Sequence, residues 1–502
     1  MPCVAVDHVD VLIVGAGLSG IGAGHQIREH FPRKTYAILE QRQEIGGTWS
    51  LFKYPGIRSD SDMHTLGYRW RPWVEEKAIA DGPSILKYVE DTAREGDVEK
   101  HIRFGKKVVS ASWSTPDSRW TVDVEDVATG EITQMTCGFY FCCSGYYNYE
   151  EGYTPQWAGV EDFEGTVVHP QFWPEDLDYT GKKVVVIGSG ATAVTLVPAM
   201  AAAGAAHVTM LQRSPTYIVP LPEKDKLANT LRRFLPSKWA YAITRYKNVV
   251  MVTISFQLSR RRPEVMKRLI RKMQLTVMPA DYAFEPHLSP SYNPWDQRLC
   301  VVPDGDLFIA MKRGDASIVT DEIETFTKTG VKLVSGEELD ADVIVTATGL
   351  NLLAFGGVKL TVDGKPVNLP DHMAYKAIML SDVPNFAYGI GYTNASWTLK
   401  IDLTYDYVWR LLKHMDATGT TWCAPRLRDT SIERSPLMDF SSGYVQRSID
   451  QFPRAGSKAP WKTRMNYFYD RLALGKGNVD DGTMEFGRGA AAPAERVTAA
   501  AS

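Results

Sequence analysis

Two glycine-rich turns, one beginning at Gly15 and the other at Gly188, constrain the fold of this 502-residue chain more than any other feature. Each follows a short apolar run and precedes a helical pattern, the order of a strand, a tight turn and a helix. The first glycine permits the turn, the second lets a pyrophosphate approach the backbone, and the third position lets the helix lie close to the strand. Two such units predict two dinucleotide-binding domains, for which the chain is long enough.

The first turn predicts a site for FAD or NAD. Gly15, Gly17 and Gly20 fill its three positions, and a second apolar strand, TYAILE, ends at Glu40, 20 residues after the last glycine. A carboxylate at that distance accepts hydrogen bonds from both ribose hydroxyls and repels a 2′-phosphate. NADP is therefore excluded from this site.

The second turn predicts an NADPH site. Its second strand, HVTMLQ, ends without an acid and is followed by Arg213 and Ser214. The planar guanidinium of an arginine suits a phosphate, and the serine hydroxyl adds a donor. The alternative is that Arg213 is an ordinary exposed arginine on a loop. The predicted NADPH contacts are Gly188, Ser189, Gly190, Ala191, Thr192, Ala193, Arg213 and Ser214.

Because the FAD-type turn comes first and the NADPH-type turn interrupts the chain, the sequence predicts an α/β fold of two nested Rossmann-like dinucleotide-binding domains with a helical insertion. The apolar run ADVIVTATGL, residues 341–350, is expected to return the chain to the FAD-binding domain. The predicted boundaries are 1–145 and 335–486 for the FAD-binding domain, 146–334 for the NADPH-binding domain, 222–290 for the helical insertion within it, and 487–502 for an Ala-rich disordered tail.

Charge and cysteine usage narrow the class of protein. With 56 Lys and Arg against 59 Asp and Glu, the net charge is −3, which argues against a nucleic-acid partner. No C-x-x-C motif is present, so a flavin disulfide reductase is disfavoured. The chain lacks a signal-peptide pattern and an apolar run of about 18 residues, which favours a cytoplasmic location. No metal site is predicted. The cysteines are Cys3, Cys137, Cys142, Cys143, Cys300 and Cys423.

Residues 224–272 form a strongly basic segment, with 14 Lys or Arg and only Asp225 and Glu264 as acids. Helical spacing places Val265, Leu269 and Lys272 or Met273 on one side of its last part. One interpretation is a helical insertion over the active site that also contacts an anionic membrane surface weakly and peripherally. The favoured alternative is a solvated helical hairpin whose apolar side packs on the NADPH-binding domain.

The segment FEGTVVHPQFWP resembles the fingerprint F-x-G-x-x-x-H-x-x-x-W-P/D of Baeyer–Villiger monooxygenases. Two further stretches, EIGGTWSLFKYPGIRSDSDMHTLGYRWRPW and YNPWDQRLCVVPDGDLF, resemble the ethionamide-activating subgroup of that class B flavin-dependent family. The resemblance runs from about residue 8 to about residue 475 and includes both glycine-rich turns. The matching fingerprint residues are Phe163, Gly165, His169, Trp173 and Pro174.

The resemblance implies a role for each matching residue. Arg298 would be the catalytic arginine and Asp60 its partner. His169 and Trp173 would lie where the two domains meet and couple movement of the NADPH-binding domain to the flavin. The implied cofactor contacts are Gly47, Thr48, Trp49 and Leu51 at the flavin, Ser19 and Glu40 on its adenosine side, Val108 near the adenine, and Arg58, Ser59 and Asp60 at the junction between flavin and nicotinamide.

The function that the resemblance implies is oxygenation with FAD, NADPH and O₂, in which a flavin C4a-peroxide converts ketones to esters or lactones and also oxidises sulfides or thioamides. One alternative is a flavin monooxygenase that oxygenates only nitrogen or sulfur. Another is an NADPH oxidase or flavin reductase that oxygenates nothing. The sequence leaves the ketone and the oligomeric state open.

Overall fold

The protein, described by a computed structural model over residues 7–278, 282–438 and 440–490, has two separate main β-sheets. The larger has 11 strands and the smaller five. Each contains one of the two strand–turn–helix units. The predicted fold class, with nested Rossmann-like domains and a helical insertion, is confirmed.

The first part of the chain builds most of the larger sheet. The run DVLIV forms its central strand, which is buried on both faces as expected of a near-continuous apolar strand between parallel neighbours. The elements are β1 Asp7–Val14, α1 Leu18–His30, β2 Tyr36–Glu40, α2 Thr48–Leu51, α3 Met63–Leu66, α4 Gly82–Glu95, β3 Ile102–Phe104, β4 Lys106–Ser114, β5 Arg119–Asp126 and β6 Ile132–Cys142.

The middle part builds the smaller sheet and carries the helical insertion. The sheet has the order β13-β10-β9-β17-β8, and every pairing in it is parallel. The elements are β7 Tyr147–Gly152, β8 Thr166–Val168, β9 Lys183–Ile187, α5 Ala191–Ala202, β10 His207–Gln212, β11 Ile218–Leu221, α6 Lys226–Phe234, α7 Ser237–Arg261, α8 Pro263–Gln274, β12 Cys300–Pro303, α9 Asp306–Arg313, β13 Ala316–Thr320, β14 Ile323–Thr327, β15 Gly330–Leu333, β16 Glu338–Asp340 and β17 Val343–Thr346.

The last part returns to the larger sheet, where β23 pairs with β6 and β19 with β4. The elements are β18 Leu350–Leu352, β19 Lys359–Val362, β20 Lys365–Pro366, β21 Ala374–Tyr375, β22 Met379–Leu380, β23 Phe386–Tyr388, α10 Trp397–Thr418, β24 Trp422–Pro425, β25 Arg434–Pro436, α11 Gly443–Gln446, β26 Arg454–Gly456, α12 Tyr467–Ala473 and β27 Met484–Gly487.

The second domain ends later than the predicted boundary at residue 334. Strand β17 lies between β8 and β9 in the smaller sheet, so the run 341–350 completes the second domain before the chain leaves it. The two segments that connect the domains also pair with each other. Strand β7 leads from the first domain to the second, β18 leads back, and the two are antiparallel neighbours. The predicted domain boundary at residue 335 was wrong, because the apolar character of a strand does not show which of two sheets that strand joins.

The helical insertion consists of α6, α7 and α8 and contacts both domains. On α7, the hydroxyl of Tyr241 donates to the Tyr68 carbonyl of the first domain, whereas α8 packs on β11 of the second. On α8 the buried apolar residues are Met266 and Ile270, while Val265 and Leu269 are exposed. The predicted apolar side of α8 was therefore wrong: α8 has apolar residues on two adjacent faces, and spacing alone could not tell which one packs.

The chain is ordered beyond the predicted start of the tail. Gly487 ends β27, and the amide of Ala490 donates to the Pro116 carbonyl, so residues 487–490 belong to the folded unit. The rest of the predicted tail, 491–502, and Cys3 lie outside the described residues. Within the described ranges, no helix combines the length and the apolar character needed to cross a bilayer.

Candidate active site

One cavity of about 450 Å³ lies between the two domains. Its walls come from the first glycine-rich turn, from the start of α5 directly after the second turn, and from the loop before β12 that carries Arg298. The structure thus brings together residues that are almost 300 positions apart. The predicted site residues that line the cavity are Gly15, Gly17, Ser19, Glu40, Gly47, Thr48, Trp49, Arg58, Ser59, Asp60, Val108, Ala191, Thr192 and Arg298.

The first turn has the geometry of a dinucleotide site. Gly15 has φ +104°, and a Cβ there would lie 2.7 Å from the Cys143 carbonyl oxygen. At Gly20 an added Cβ would come within 1.7 Å of the Gly15 oxygen, so only glycine lets α1 start this close to β1. Glu40 is buried, and its carboxylate accepts from the amides of Ala16 (2.8 Å) and Arg42 (2.9 Å). Its position at the end of β2 fits a ribose ligand.

Glu40 has a raised pKa, because burial outweighs the hydrogen bonds that it accepts from the backbone amides of Ala16 and Arg42. A ligand that donates hydroxyl hydrogen bonds to this carboxylate would stabilise its charged form. Across the turn, Gly17 and Gly47 face each other, and a Cβ added at Gly47 would lie 3.2 Å from the Gly17 Cα. The two facing glycines keep side chains away from the entry of the cavity, as the close approach of a dinucleotide requires.

The second turn is open toward solvent. A Cβ at Gly190 would meet no atom within 4 Å, so protein packing leaves space at this position. The adjacent strands β9 and β10 bring Arg213 and Ser214 to the same sheet edge as this turn, and the Ser189 hydroxyl donates to the Ser214 carbonyl at 3.0 Å. Arg213 is exposed. An exposed guanidinium beside the amino end of α5 fits an anionic ligand.

Arg298 and Asp60 form an ion pair in the cavity, with 3.7 Å between Nε and Oδ2. Their side chains are 35% and 21% exposed. Burial raises the pKa of Asp60 despite the opposing charges of Arg298 and Arg58. Burial by itself would lower the pKa of Arg298. Asp60 and three tyrosines raise that pKa by more than burial lowers it, so the net shift is upward and the guanidinium stays charged. Asp296, two residues before Arg298 in the chain, pairs with Arg260 at 2.8 Å.

Three tyrosines that sequence reasoning missed lie near Arg298. Tyr146 and Tyr147, whose rings are 4.7 Å apart, line the cavity where β7 begins, and Tyr444 comes from the last part of the chain. Burial raises the pKa of Tyr147 to about 12. Trp397, at the start of α10, donates from Nε1 to the Ser19 hydroxyl at 2.8 Å. The repeated tyrosines after a sheet strand were the only signal in the sequence.

Arg58 and Ser59 line the cavity between the two domains. The Arg58 guanidinium pairs with Asp306 at the start of α9 in the second domain. Ser59 is buried, and its hydroxyl accepts from the Ser61 amide at 2.9 Å. The neighbouring Asp62 caps α3 and accepts from the Thr65 amide at 3.1 Å. Asp62 is therefore a helix cap, whereas Asp60 lines the cavity.

The fingerprint segment, residues 163–174, packs on the chain segment that connects the two domains. Phe163 lies edge-on to Phe326, 6.3 Å away, and a Cβ at Gly165 would clash with the Phe163 ring. The His169 ring lies against Gly152 at the end of β7, and burial lowers its pKa. Trp173 is half-buried against the core of the second domain. Pro174, directly after Trp173, is exposed.

Some predicted site residues lie outside the cavity. Leu51 packs against the core of the second domain, so a flavin contact for it lacks support. Gly20 serves the packing of α1 instead. The residues of the second site that do not line the cavity are Gly188, Ser189, Gly190, Ala193, Arg213 and Ser214.

Comparison with known families decides which proteins this chain is related to. The family model described as flavin-binding monooxygenase-like matches residues 77–355, more than half of the chain. The chain belongs to the flavin-binding monooxygenase-like family. A second model, the NAD(P)-binding Rossmann-like domain, matches residues 13–75, which contain the first glycine-rich turn.

Relatives within this monooxygenase family cover nearly the whole chain. The FAD-containing monooxygenase EthA of Mycobacterium tuberculosis is 52% identical over 482 residues, with 96% of this chain and 98% of the relative covered. The probable FAD-binding monooxygenase AlmA of an Acinetobacter species is 47% identical, with 95% and 96% covered. The resemblance found in the motifs is confirmed, and the chain is an oxidoreductase of the FAD-containing monooxygenase type.

Solved structures support the fold. A steroid monooxygenase bound to NADP has a TM-score of 0.74 at 21% identity, covering 96% of this chain and 100% of its own. Cyclohexanone monooxygenase in an open form also has a TM-score of 0.74, at 19% identity and with 96% and 99% covered. The two predicted cofactors, FAD and NADPH, agree with the family and with the two nucleotide-type turns of this monooxygenase.

Proposed function

We propose that the protein is a Baeyer–Villiger monooxygenase that converts a ketone, O₂, NADPH and a proton into an ester or lactone, NADP⁺ and water. The observation that carries the proposal is the position of the Arg298–Asp60 pair, in the cavity that the first glycine-rich turn and the start of α5 line together. Bound FAD, once reduced by NADPH, supplies the activation of O₂. The protein supplies the charge that directs this chemistry to a carbonyl.

Arg298 stabilises negative charge on the reacting oxygen. Attack on a ketone carbonyl needs an anionic oxygen nucleophile, and the adduct that forms is also anionic. A guanidinium fixed beside these charges stabilises both. A lysine at this position could lose its proton on burial, whereas an arginine cannot. The raised pKa of Arg298 is in line with that requirement.

Asp60 and the tyrosines position Arg298. The carboxylate holds the guanidinium from one side, while Tyr146, Tyr147 and Tyr444 surround it with hydroxyls that stay neutral at physiological pH. A neutral hydroxyl donates or accepts a hydrogen bond without cancelling the charge of the arginine. The aromatic rings also narrow the space in which a substrate can bind.

We assign NADPH to the second turn, with Arg213 and Ser214 at its 2′-phosphate and Arg58 near the nicotinamide. The fingerprint residues His169 and Trp173 couple the second domain to the flavin site, because they pack on the crossing strand β7 and on the second core. His169 has no acid–base role, and its lowered pKa keeps the ring neutral.

Sulfur oxidation is a second activity of the same site. The chain is 52% identical to the FAD-containing monooxygenase EthA over 482 residues, and two of its sequence stretches resemble the ethionamide-activating subgroup. Sulfides and thioamides are therefore proposed as additional substrates. A sulfur atom is itself the nucleophile and does not need an anionic oxygen. Loss of the Arg298 charge should therefore affect ketones more than sulfides.

Two rival functions make different products. A monooxygenase restricted to nitrogen or sulfur would oxidise a methyl aryl sulfide but leave a ketone unchanged. An NADPH oxidase would release hydrogen peroxide with either compound. Incubation of the FAD-loaded protein with NADPH and each compound, followed by product analysis, separates the three. Ester formation supports the proposal, and its absence alongside sulfoxide formation would contradict it.

We further propose that the enzyme works in the cytoplasm. The five cysteines within the described residues are free thiols and all are buried, among them the adjacent Cys142 and Cys143. Free, buried thiols are typical of a reducing compartment.

A further inference from the structure

The turn between α6 and α7 exposes apolar side chains to solvent. All seven residues from Arg233 to Trp239, with the sequence RFLPSKW, are exposed. Phe234 is 80% exposed and Trp239 67%. Single exposed apolar residues are common on protein surfaces, but large aromatic side chains grouped in one turn mark a binding surface.

The exposed apolar surface continues along α7. Trp239, Ile243 and Tyr246 follow at spacings of four and three residues, which places them on one side of the helix, and Ile254 lies further along the same side. The opposite side packs on the first domain, where Arg245 is buried. The helix therefore presents an apolar stripe outward, the reverse of an ordinary surface helix. We call the turn and this stripe the α7 surface.

Basic residues surround the α7 surface. Residues 224–272 carry 14 Lys or Arg against two acids, although the whole chain is slightly negative. Both acids are already paired, Asp225 with Lys247 at 2.5 Å and Glu264 with Lys267 at 2.8 Å. Within the described part of the chain, the exposed basic residues without an ion pair include Arg233, Lys238, Arg261, Arg262 and Lys272.

The exposed turn is distant from the catalytic loop. Phe256 of α7 contacts Trp295 near Arg298, with the ring centres 5.8 Å apart. Trp239 lies 17 residues earlier in the same helix, which is about 25 Å along its axis. The turn is therefore not part of the mouth of the active site, and a substrate in the cavity does not cover it.

We propose that the α7 surface docks on the face of an anionic phospholipid membrane. Exposed Trp, Phe and Leu side chains insert at the level of the headgroups, and the surrounding Lys and Arg side chains bind the negative lipid charges. A second copy of the chain is a poorer partner, because a two-fold interface would place the two basic surfaces against each other. A nucleic acid would use the charges but leave the aliphatic stripe exposed.

Co-sedimentation with vesicles tests this proposal on the full-length, FAD-loaded protein. We expect binding to vesicles of phosphatidylcholine with one quarter phosphatidylglycerol, weak binding to pure phosphatidylcholine, and release when salt is raised from 0.1 to 0.5 M. The double variants Phe234→Ala/Trp239→Ala and Arg233→Gln/Lys238→Gln should each lower the vesicle affinity about tenfold or more.

Matched controls use exposed residues elsewhere, Val334→Ala/Leu472→Ala for apolar area and Lys359→Gln/Lys365→Gln for charge. These should bind vesicles like the parent protein, and all variants should keep NADPH-driven flavin reduction, which verifies the fold. Equal binding by parent and α7-surface variants, or no binding to anionic vesicles, would overturn the proposal. So would a dimer in light scattering that only the Phe234→Ala/Trp239→Ala variant dissociates, or tighter binding to DNA than to vesicles.

Discussion

At the scale of single residues, the proposed chemistry depends on the charge of Arg298 and on the carboxylate that holds it. The pair joins a loop of the first domain to a loop of the second. Within the described residues, neither side chain has another ion-pair partner. We therefore expect mutation to separate oxygenation from flavin reduction. In the proposed mechanism reduction needs the nucleotide sites, whereas attack on a carbonyl also needs the guanidinium.

Arg298→Ala should abolish ester formation while leaving reduction of FAD by NADPH intact. Removing one electrostatic stabiliser of this kind lowers a rate by about 100- to 1000-fold. Product formation is measured by gas chromatography, and flavin reduction by bleaching under anaerobic conditions. Arg298→Lys keeps a charge without the planar fork and should retain intermediate activity. Ester formation by Arg298→Ala at the parent rate would remove the arginine from the mechanism.

The raised pKa of Asp60 predicts an acid limb in the pH dependence of ketone oxygenation. As the pH falls through that pKa, which lies above the usual carboxyl value of 3.8, the carboxylate is neutralised and Arg298 loses its partner. The rate should therefore fall on the acid side in the parent protein. Asp60→Asn should give a lower rate without this limb, measured as kcat against pH. An unchanged limb in the variant would assign it to another group.

At the scale of secondary-structure elements, we assign the proposed NADPH site to the turn after β9 and the end of β10 in the second domain. Arg213→Ala should lower kcat/KM for NADPH by about tenfold to a hundredfold, because a charge-assisted hydrogen bond to the 2′-phosphate is lost, and should leave NADH unaffected. Lys312→Ala, also exposed in this domain, serves as the control. Equal losses with NADH and NADPH would show that Arg213 does not read the 2′-phosphate.

Helix α7 is held on the first domain by a buried ion pair. Arg245 Nη2 lies 2.7 Å from Asp402 Oδ2, and Nη1 donates to the carbonyls of His64, Thr65 and Gly67. Both side chains of the pair are less than a tenth exposed. The insertion is thus fixed to the FAD-type domain, although the sequence suggested packing on the NADPH-type domain alone.

Removing one partner of this pair should destabilise the protein strongly. Arg245→Met leaves the Asp402 carboxylate buried without its cation, and the expected loss is ~3–5 kcal/mol. Arg260→Met breaks a half-exposed pair and should lose about 1 kcal/mol at most. Urea midpoints of the two variants give the comparison. A midpoint for Arg245→Met equal to that of Arg260→Met would show that the buried pair contributes little.

The strand–turn–helix units could be predicted from the sequence because the backbone geometry of their turns allows only certain residue types. Gly15 must be glycine since it has positive φ and touches the Cys143 carbonyl. Glu40 ends its strand at the required distance. The packed face of α8 and the sheet that β17 joins could not be predicted, since apolar periodicity reveals burial but not the neighbour that provides it.

At the scale of the whole molecule, the candidate active site exists because one domain is inserted into the other. The cavity exists because β7 and β18 carry the chain out and back side by side and hold the two domains against each other. Tyr146 and Tyr444 approach Arg298 from segments about 300 residues apart, a proximity that no local pattern encodes. The motifs therefore predicted the family and the charged pair, while the aromatic lining required the structure.

The most direct test of the proposed function is the mass of the product formed from a medium-chain methyl ketone by the FAD-loaded protein with NADPH and O₂. We expect an ester one oxygen atom heavier than the ketone, formed only when NADPH is present and absent with Arg298→Ala. A methyl aryl sulfide in a parallel reaction shows whether the enzyme is competent to oxygenate. Sulfoxide without any ester across a series of ketones, or NADPH consumption that yields only hydrogen peroxide, would contradict the assignment.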